Sequence, residues 1–139
     1  TLSQKIPVSG SIIVTTPQDI ALLDVRKAIR MFEKVRVPVL GVVENMSVYK
    51  CPHCHHEEFL FGQLGADKIE DQFQIPCLGK LPLQLSIREA GDQGTPQVLK
   101  HPNDEASKLF DNIALHTSML LSLREKFKLS KFPKIVVEK

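Results

Sequence analysis

Cys51-Pro52-His53-Cys54, followed directly by His55 and His56, is the stretch best equipped for chemistry. Two thiolates at this spacing can grip one metal ion or one cluster iron, since a turn of that length points both sulfurs the same way. Tetrahedral zinc and a four-iron cluster each want about four protein ligands, so the pair is half a site. Three chemistries fit. The pair can join the same pair of a second subunit around an iron–sulfur cluster. It can join His55, His56 or both around a structural zinc within one chain. It can also be a thiol–disulfide couple, since the same tetrapeptide occurs in bacterial disulfide oxidants. That last use needs the first cysteine at a helix N-terminus in a thioredoxin-like fold, and His55 to Phe59 carries no helical apolar stripe. Cys77 sits in an apolar run and reads as a small buried hydrophobe. His101 and His116 are isolated and read as a loop polar group and a helix-face residue.

A second signal is Val42-Val43-Glu44-Asn45-Met46. A polar residue at the C-terminal edge of a buried parallel strand stands where α/β sheets bind ligands. The Asn45 amide offers a donor and an acceptor, which matches the edge of an adenine ring; an asparagine there is also a common turn former.

The elements that must position these residues follow from periodicity. Ser11 to Thr16 is a short, β-branched, continuously apolar run ended by Pro17, as expected of a strand covered on both faces. Residues 18 to 35 read as a helix, with Leu22, Val25, Ile29 and Phe32 on one side. Residues 38 to 43 form a second buried strand, so the three elements make a right-handed βαβ unit and imply a parallel sheet. Residues 45 to 62 break the pattern and hold the Cys/His cluster. A short helix over 64–73 follows, then a strand over 75–81 ended by Pro82. A helical turn over 85–90 is expected to stop at Gly91 and Gly94. The final helix is expected to be capped by Asn103, with Ala106, Leu109, Phe110, Ile113, Ala114, Thr117 and Leu121 as its apolar stripe. Three parallel strands are fewer than a doubly wound sheet ordinarily has.

With 139 residues, one domain is the default, and 42% hydrophobic content is enough for a core that needs no disulfide or metal to hold it. A net charge of +2 gives no electrostatic case for nucleic acid. The charge is uneven: residues 122 to 139 hold six Lys/Arg against two Asp/Glu. Leu121, Leu123, Phe127, Leu129 and Phe132 alternate there with basic residues, a pattern that can lie on anionic lipid or dock as a last helix with a solvated basic face. Docking is the expectation, and a membrane partner is not. No apolar run approaches the roughly 20 residues that span a bilayer. An odd count of three cysteines argues for a reducing compartment, and the cytoplasm is the expected location. The opening Thr1-Leu2-Ser3-Gln4, without an initiator methionine and close to a buried-type strand, suggests a piece of a longer chain.

Taken in order, several segments resemble the Mrp/ApbC group of iron–sulfur cluster carriers, which is close to the MinD and nitrogenase-iron-protein ATPases. They are Gly10 to Asp24, Val37 to Ser47 (with Val42-Val43-Glu44-Asn45-Met46-Ser47), the C-P-x-C pair, Phe61-Gly62, Leu78 to Leu83, and Ile87 to Pro96. The match runs from about residue 2 to 113. It implies a three-layer, MinD-like P-loop NTPase fold with a mostly parallel sheet, of which this chain is an incomplete C-terminal part. The resemblance further implies an ATPase that carries a [4Fe–4S] cluster to apo iron–sulfur proteins as a homodimer. By family, Cys51 and Cys54 would ligate the cluster across the dimer, Asn45 would contact the adenine of Mg-ATP, and Pro82 to Arg88 would lie beside the base. The cluster then ranks ahead of zinc and of a MinD-like membrane-positioning role. Two departures stand out. The family's Gly-rich Walker A loop with its lysine, and its Asp-x-Pro-Pro-Gly-Thr-Gly-Asp segment, are absent from this sequence, and Leu2-Ser3-Gln4 resembles the family residues immediately C-terminal to that acidic segment. Without amides, lysine and metal-binding carboxylate there is no machinery for phosphoryl transfer, so the chain alone is expected to be inactive.

Overall fold

The structure, a computed structural model, describes residues 6–124. The opening tetrapeptide and nearly all of the basic segment 122–139 therefore lie outside the described residues.

Strand β1 (Ser11–Thr15), helix α1 (Asp19–Lys34) and strand β2 (Val39–Glu44) form the expected crossover. β1 pairs with β2 in parallel, and β2 with β5 (Cys77–Lys80), giving the order β1-β2-β5. Helix α1 forms where the apolar spacing dictates. Asp19 in its first turn and Lys34 in its last complement the helix dipole. Leu22, Val25 and Ile29 meet Ile13 and Val42 on one face of the sheet, joined there by Ala66 and Ile69 of α2 (Gly65–Phe73). Leu22, Ile29 and Ile69 are fully buried, each contributing roughly 1.5–3 kcal/mol. The other face, Val43, Leu78 and Leu81, is covered by α5 (Glu105–Leu123) through Leu109, Phe110, Ile113 and Leu120. The result is three layers, with the chemistry-bearing residues leaving from the carboxyl edge.

Coverage of the sheet is uneven at β1. Ile13 and Thr15 are buried, but Ile12 and Val14 are 40% and 62% exposed. Val14 is the register partner of Val43, yet is not among the residues that α5 packs against. The outer edge of β1 has no strand partner among the described residues.

Several expectations need correction. Residues 45–62 are not without regular structure. Tyr49–Lys50 (β3) and Glu57–Glu58 (β4) pair antiparallel as a small hairpin. The turn over 85–90 is a longer helix, α3 (Leu85–Asp92), which runs through Gly91, is C-capped by Gln93 and is followed by Gly94 with φ of +66°. A short helix, α4 (Gln97–Lys100), follows. The cap of α5 is Asp104, not Asn103: its carboxylate accepts from the Glu105 amide at 2.7 Å and from Gln97 Nε2 at 2.9 Å. The neighbouring position wins because it alone has this tertiary partner. On α5, Ala114 and Leu121 are exposed and Leu120 takes the inward place. His116 does more than face solvent: its Nδ1–H donates to the Leu78 carbonyl at 3.2 Å, pinning α5 to β5.

Candidate metal and nucleotide site at the carboxyl edge of the sheet

The hairpin β3–β4 is too short to stand alone and is held by backbone bonds at its root and tip. The Leu83 amide donates to the Val48 carbonyl at 2.8 Å, and the Ser47 amide and hydroxyl both donate to the Leu81 carbonyl. These bonds stitch the root to the chain leaving β5. At the tip, the Cys51 amide donates to the His56 carbonyl and the His55 amide to the Cys51 carbonyl, both at 2.9 Å. His55 turns the chain with φ of +58°.

This loop brings the two sulfurs together. Amide hydrogen bonds from Cys54 and then His53, followed by one from the Cys54 thiol, hold the Cys51 thiol below its ordinary range; its slight desolvation works the other way. Cys51 is half-buried, Cys54 is exposed, and both are free. Amides aimed at a sulfur stabilise thiolate, the form that binds soft metals. Among the described residues, no group of three or more His, Cys, Asp or Glu converges on one point. His53, His55 and His56 thus bring no ready third ligand to the pair. Cys77 lies away from it on β5, half-buried rather than fully buried, its thiol pushed up chiefly by burial and donating weakly to the Gly79 carbonyl at 3.7 Å.

Beside the hairpin runs a groove of about 1130 Å³, lined by Cys51, Tyr49, Phe59, Pro82, Leu85 and Leu109 among others. Asn45 faces a separate, smaller cleft of about 430 Å³ with Val14, Thr16 and Asp24. Its amide oxygen already accepts from the Met46 amide at 2.9 Å, and Met46 has φ of +57°. Asn45 therefore does form a turn, and its NH2 group has no hydrogen-bond partner among the described residues. Pro82 lines the larger groove, while Arg88 lines neither and pairs with Asp92 at 2.6 Å one turn along α3. The described residues thus do not gather Asn45, Pro82 and Arg88 around one cavity.

Sequence reasoning assigned no role to Glu44. It is 2% exposed, and its Oε2 accepts from the Ala66 amide at 2.7 Å. Lys80, at the end of β5, pairs with Asp67 in the first turn of α2. Burial works to lower the Lys80 pKa, but the Asp67 hydrogen bond and the Glu44 charge outweigh it and the amine is held above its ordinary range. The available signal was a single charge closing an otherwise apolar strand.

The family described as ParA, NUBPL iron-transfer P-loop NTPase, matches residues 1–118. The chain belongs to this family. It is 52% identical over 114 residues to an iron-sulfur cluster carrier protein of Escherichia coli, covering 82% of this chain and 31% of that protein. It is 39% identical over 139 residues to the iron-sulfur cluster transfer protein NUBPL of Dictyostelium discoideum, covering 99% of this chain and 43% of that one. The chain thus spans less than half the length of these relatives. Among solved structures, a nucleotide-binding protein of Archaeoglobus fulgidus in complex with ADP aligns at 34% identity with a TM-score of 0.56, over 64% of this chain and 37% of that one. The cell division ATPase MinD of Pyrococcus furiosus aligns at 23% identity with a TM-score of 0.64, over 81% and 43%. The fold is MinD-like, as the sequence resemblance implies.

Proposed function

We propose that the chain is the C-terminal part of a single P-loop NTPase domain that carries a [4Fe–4S] cluster and delivers it to apo iron–sulfur proteins. The observation that carries this reading is the Cys51/Cys54 pair, half-buried and exposed respectively, with adjacent sulfurs and the Cys51 thiol stabilised by backbone amides, and with no third ligand converging among the described residues. Half a ligand set suits a cluster shared across a twofold axis, with one pair from each of two copies. It also suits delivery, because loosening the dimer removes half the ligands at once. ATP with magnesium acts in the full-length protein, where Asn45 offers its NH2 group to the base from its own cleft, while Pro82 borders the neighbouring groove and Arg88 lies outside both. Three free cysteines fit a reducing compartment, and the cytoplasm is the location we assign. No described helix is long and apolar enough to cross a membrane.

Anaerobic reconstitution with iron and sulfide tests the proposal. A cubane shared by two chains gives about two irons per chain, and a dimer only when the cluster is present. A colourless monomer with one zinc per chain, dependent on His55 or His56, would replace the carrier reading with a zinc-stabilised module.

A further inference from the structure

Glu44 stands where the cysteine hairpin both begins and ends. Its backbone closes β2: the Leu81 amide donates to the Glu44 carbonyl at 2.8 Å, and the next amide, Asn45, donates to Thr15 at 2.7 Å. From there the chain runs out into β3, through Cys51 and Cys54, back along β4, and turns at Gly62 (φ +98°) into α2. The start of α2 has no cap of its own. Leu64 is left-handed with φ of 59°, and no side chain of the N-cap accepts from the first turn. The acceptor comes from Glu44, across 22 residues of chain, as the carboxylate Oε2 on the Ala66 amide. The first turn of a helix leaves its amides without partners, so a buried carboxylate there satisfies a donor and meets the positive end of the dipole.

The contact is closely fitted. Gly65 passes so near that a Cβ there would come 3.0 Å from Glu44 Oε2 and 2.7 Å from the Pro17 Cα. Two residues further on, Asp67 is tied to Lys80 of β5. Both ties hold the returning leg of the loop against the carboxyl ends of β2 and β5. Of the two, only Glu44 is fully buried and also carries the outgoing leg.

We propose that Glu44 is a positioning residue for the cluster: it clamps the outgoing and returning legs of the Cys51/Cys54 loop to one point of the sheet. It ligates nothing, and its effect on iron passes through the geometry of the hairpin. Asn45 follows it directly, so the same clamp fixes the loop relative to the residue assigned to nucleotide. The inference rests on the cluster reading of the cysteine pair, and the experiment separates the two.

The test uses the full-length protein and two substitutions of nearly native volume. Glu44→Gln keeps an acceptor oxygen; Glu44→Met removes it. Folding is matched by circular dichroism, and iron release from the reconstituted protein to a chelator is timed. Release from Glu44→Gln should stay within about threefold of native, and release from Glu44→Met should be at least about tenfold faster. Equal rates for Glu44→Met and native, or equally fast loss from both variants, overturn the clamp. Amide exchange gives a reading that needs no cluster and no variant. In the native apo-protein the Ala66 amide should exchange more slowly than that of Gly65, its neighbour in the same uncapped turn. An Ala66 amide as labile as that of Gly65 overturns the clamp even if Glu44→Met fails to fold. A native protein that holds no cluster but protects Ala66 leaves the clamp standing and removes the carrier reading instead.

Discussion

Replacing Gly65 by alanine sets two effects of opposite sign against each other. Alanine is favoured over glycine in a helix by about 1 kcal/mol, and Gly65 is not among the positive-φ glycines. Propensity alone therefore predicts a more stable protein. The contacts predict the reverse. A Cβ at Gly65 lies 2.7 Å from the Pro17 Cα, 3.0 Å from Glu44 Oε2 and 3.3 Å from the Pro17 carbonyl oxygen. Two of these atoms are backbone and cannot rotate aside. Overpacking of this kind costs about 1–3 kcal/mol, and disturbing the Glu44–Ala66 hydrogen bond adds part of the roughly 1.5–3 kcal/mol typical of a charged acceptor. After the propensity gain of about 1 kcal/mol, a net loss of roughly 1–3 kcal/mol remains. Gly91 is the control: it is helical, and nothing lies within 4 Å of a Cβ placed there. Gly91→Ala should stabilise by roughly 0.5–1 kcal/mol. Urea unfolding followed by far-UV circular dichroism reads both. With a slope of about 1–3 kcal/mol per molar, the Gly65→Ala midpoint should fall by several tenths of a molar or more while that of Gly91→Ala rises. A Gly65→Ala midpoint at or above native, with Gly91→Ala behaving as expected, refutes the packing argument.

Cys51→Ser or Cys54→Ser should abolish both iron binding and cluster-dependent dimerisation, and Cys77→Ser should spare them, as read by iron content and native mass. In the full-length protein, Asn45→Ala should weaken ATP binding by about 1–3 kcal/mol in a calorimetric titration, the cost of leaving polar groups of the base unpaired. The 139-residue chain on its own should hydrolyse no ATP above background in a phosphate-release assay, since it holds no Gly-rich loop with a lysine for the phosphates. The Cys51 thiol is held low and the Cys77 thiol is pushed up, so a larger fraction of Cys51 is thiolate near neutral pH. Alkylation at pH 7–8, located by peptide mass, should therefore modify Cys51 before Cys77.

The sheet was legible because its signal is local. Leu22, Val25 and Ile29 recur at helical spacing between two β-branched runs, and a parallel crossover follows from their lengths. The cysteine pair was legible for the same reason, as a spacing. The hairpin was not, because its strands are two residues each and its root, at Ser47 and Val48, is anchored by the Leu81 and Leu83 backbone more than 30 residues further along. Glu44 was missed because its partner amide is 22 residues away and is visible only once α2 is docked. Asn103 and Asp104 are both good caps by type, and only the Gln97 amide, brought in by α4, distinguishes them. Gly91 and Gly94 both looked like stops, but Gly91 has no positive φ and lies within the helix; only Gly94, at +66° just past the Gln93 cap, turns the chain away.

The half-covered strand β1 bears on how the chain behaves as a colloid. Its outer edge offers a row of backbone donors and acceptors beside the exposed Ile12 and Val14. Such an edge templates sheet growth from one molecule to the next. A net charge of only +2 provides little mutual repulsion to oppose it. In the 139-residue chain on its own, this short strand, unpaired on its outer side among the described residues, therefore offers a route to self-association in concentrated solution. A single lysine in place of Val14 puts a charge on that strip without touching the buried Ile13 and Thr15 beside it.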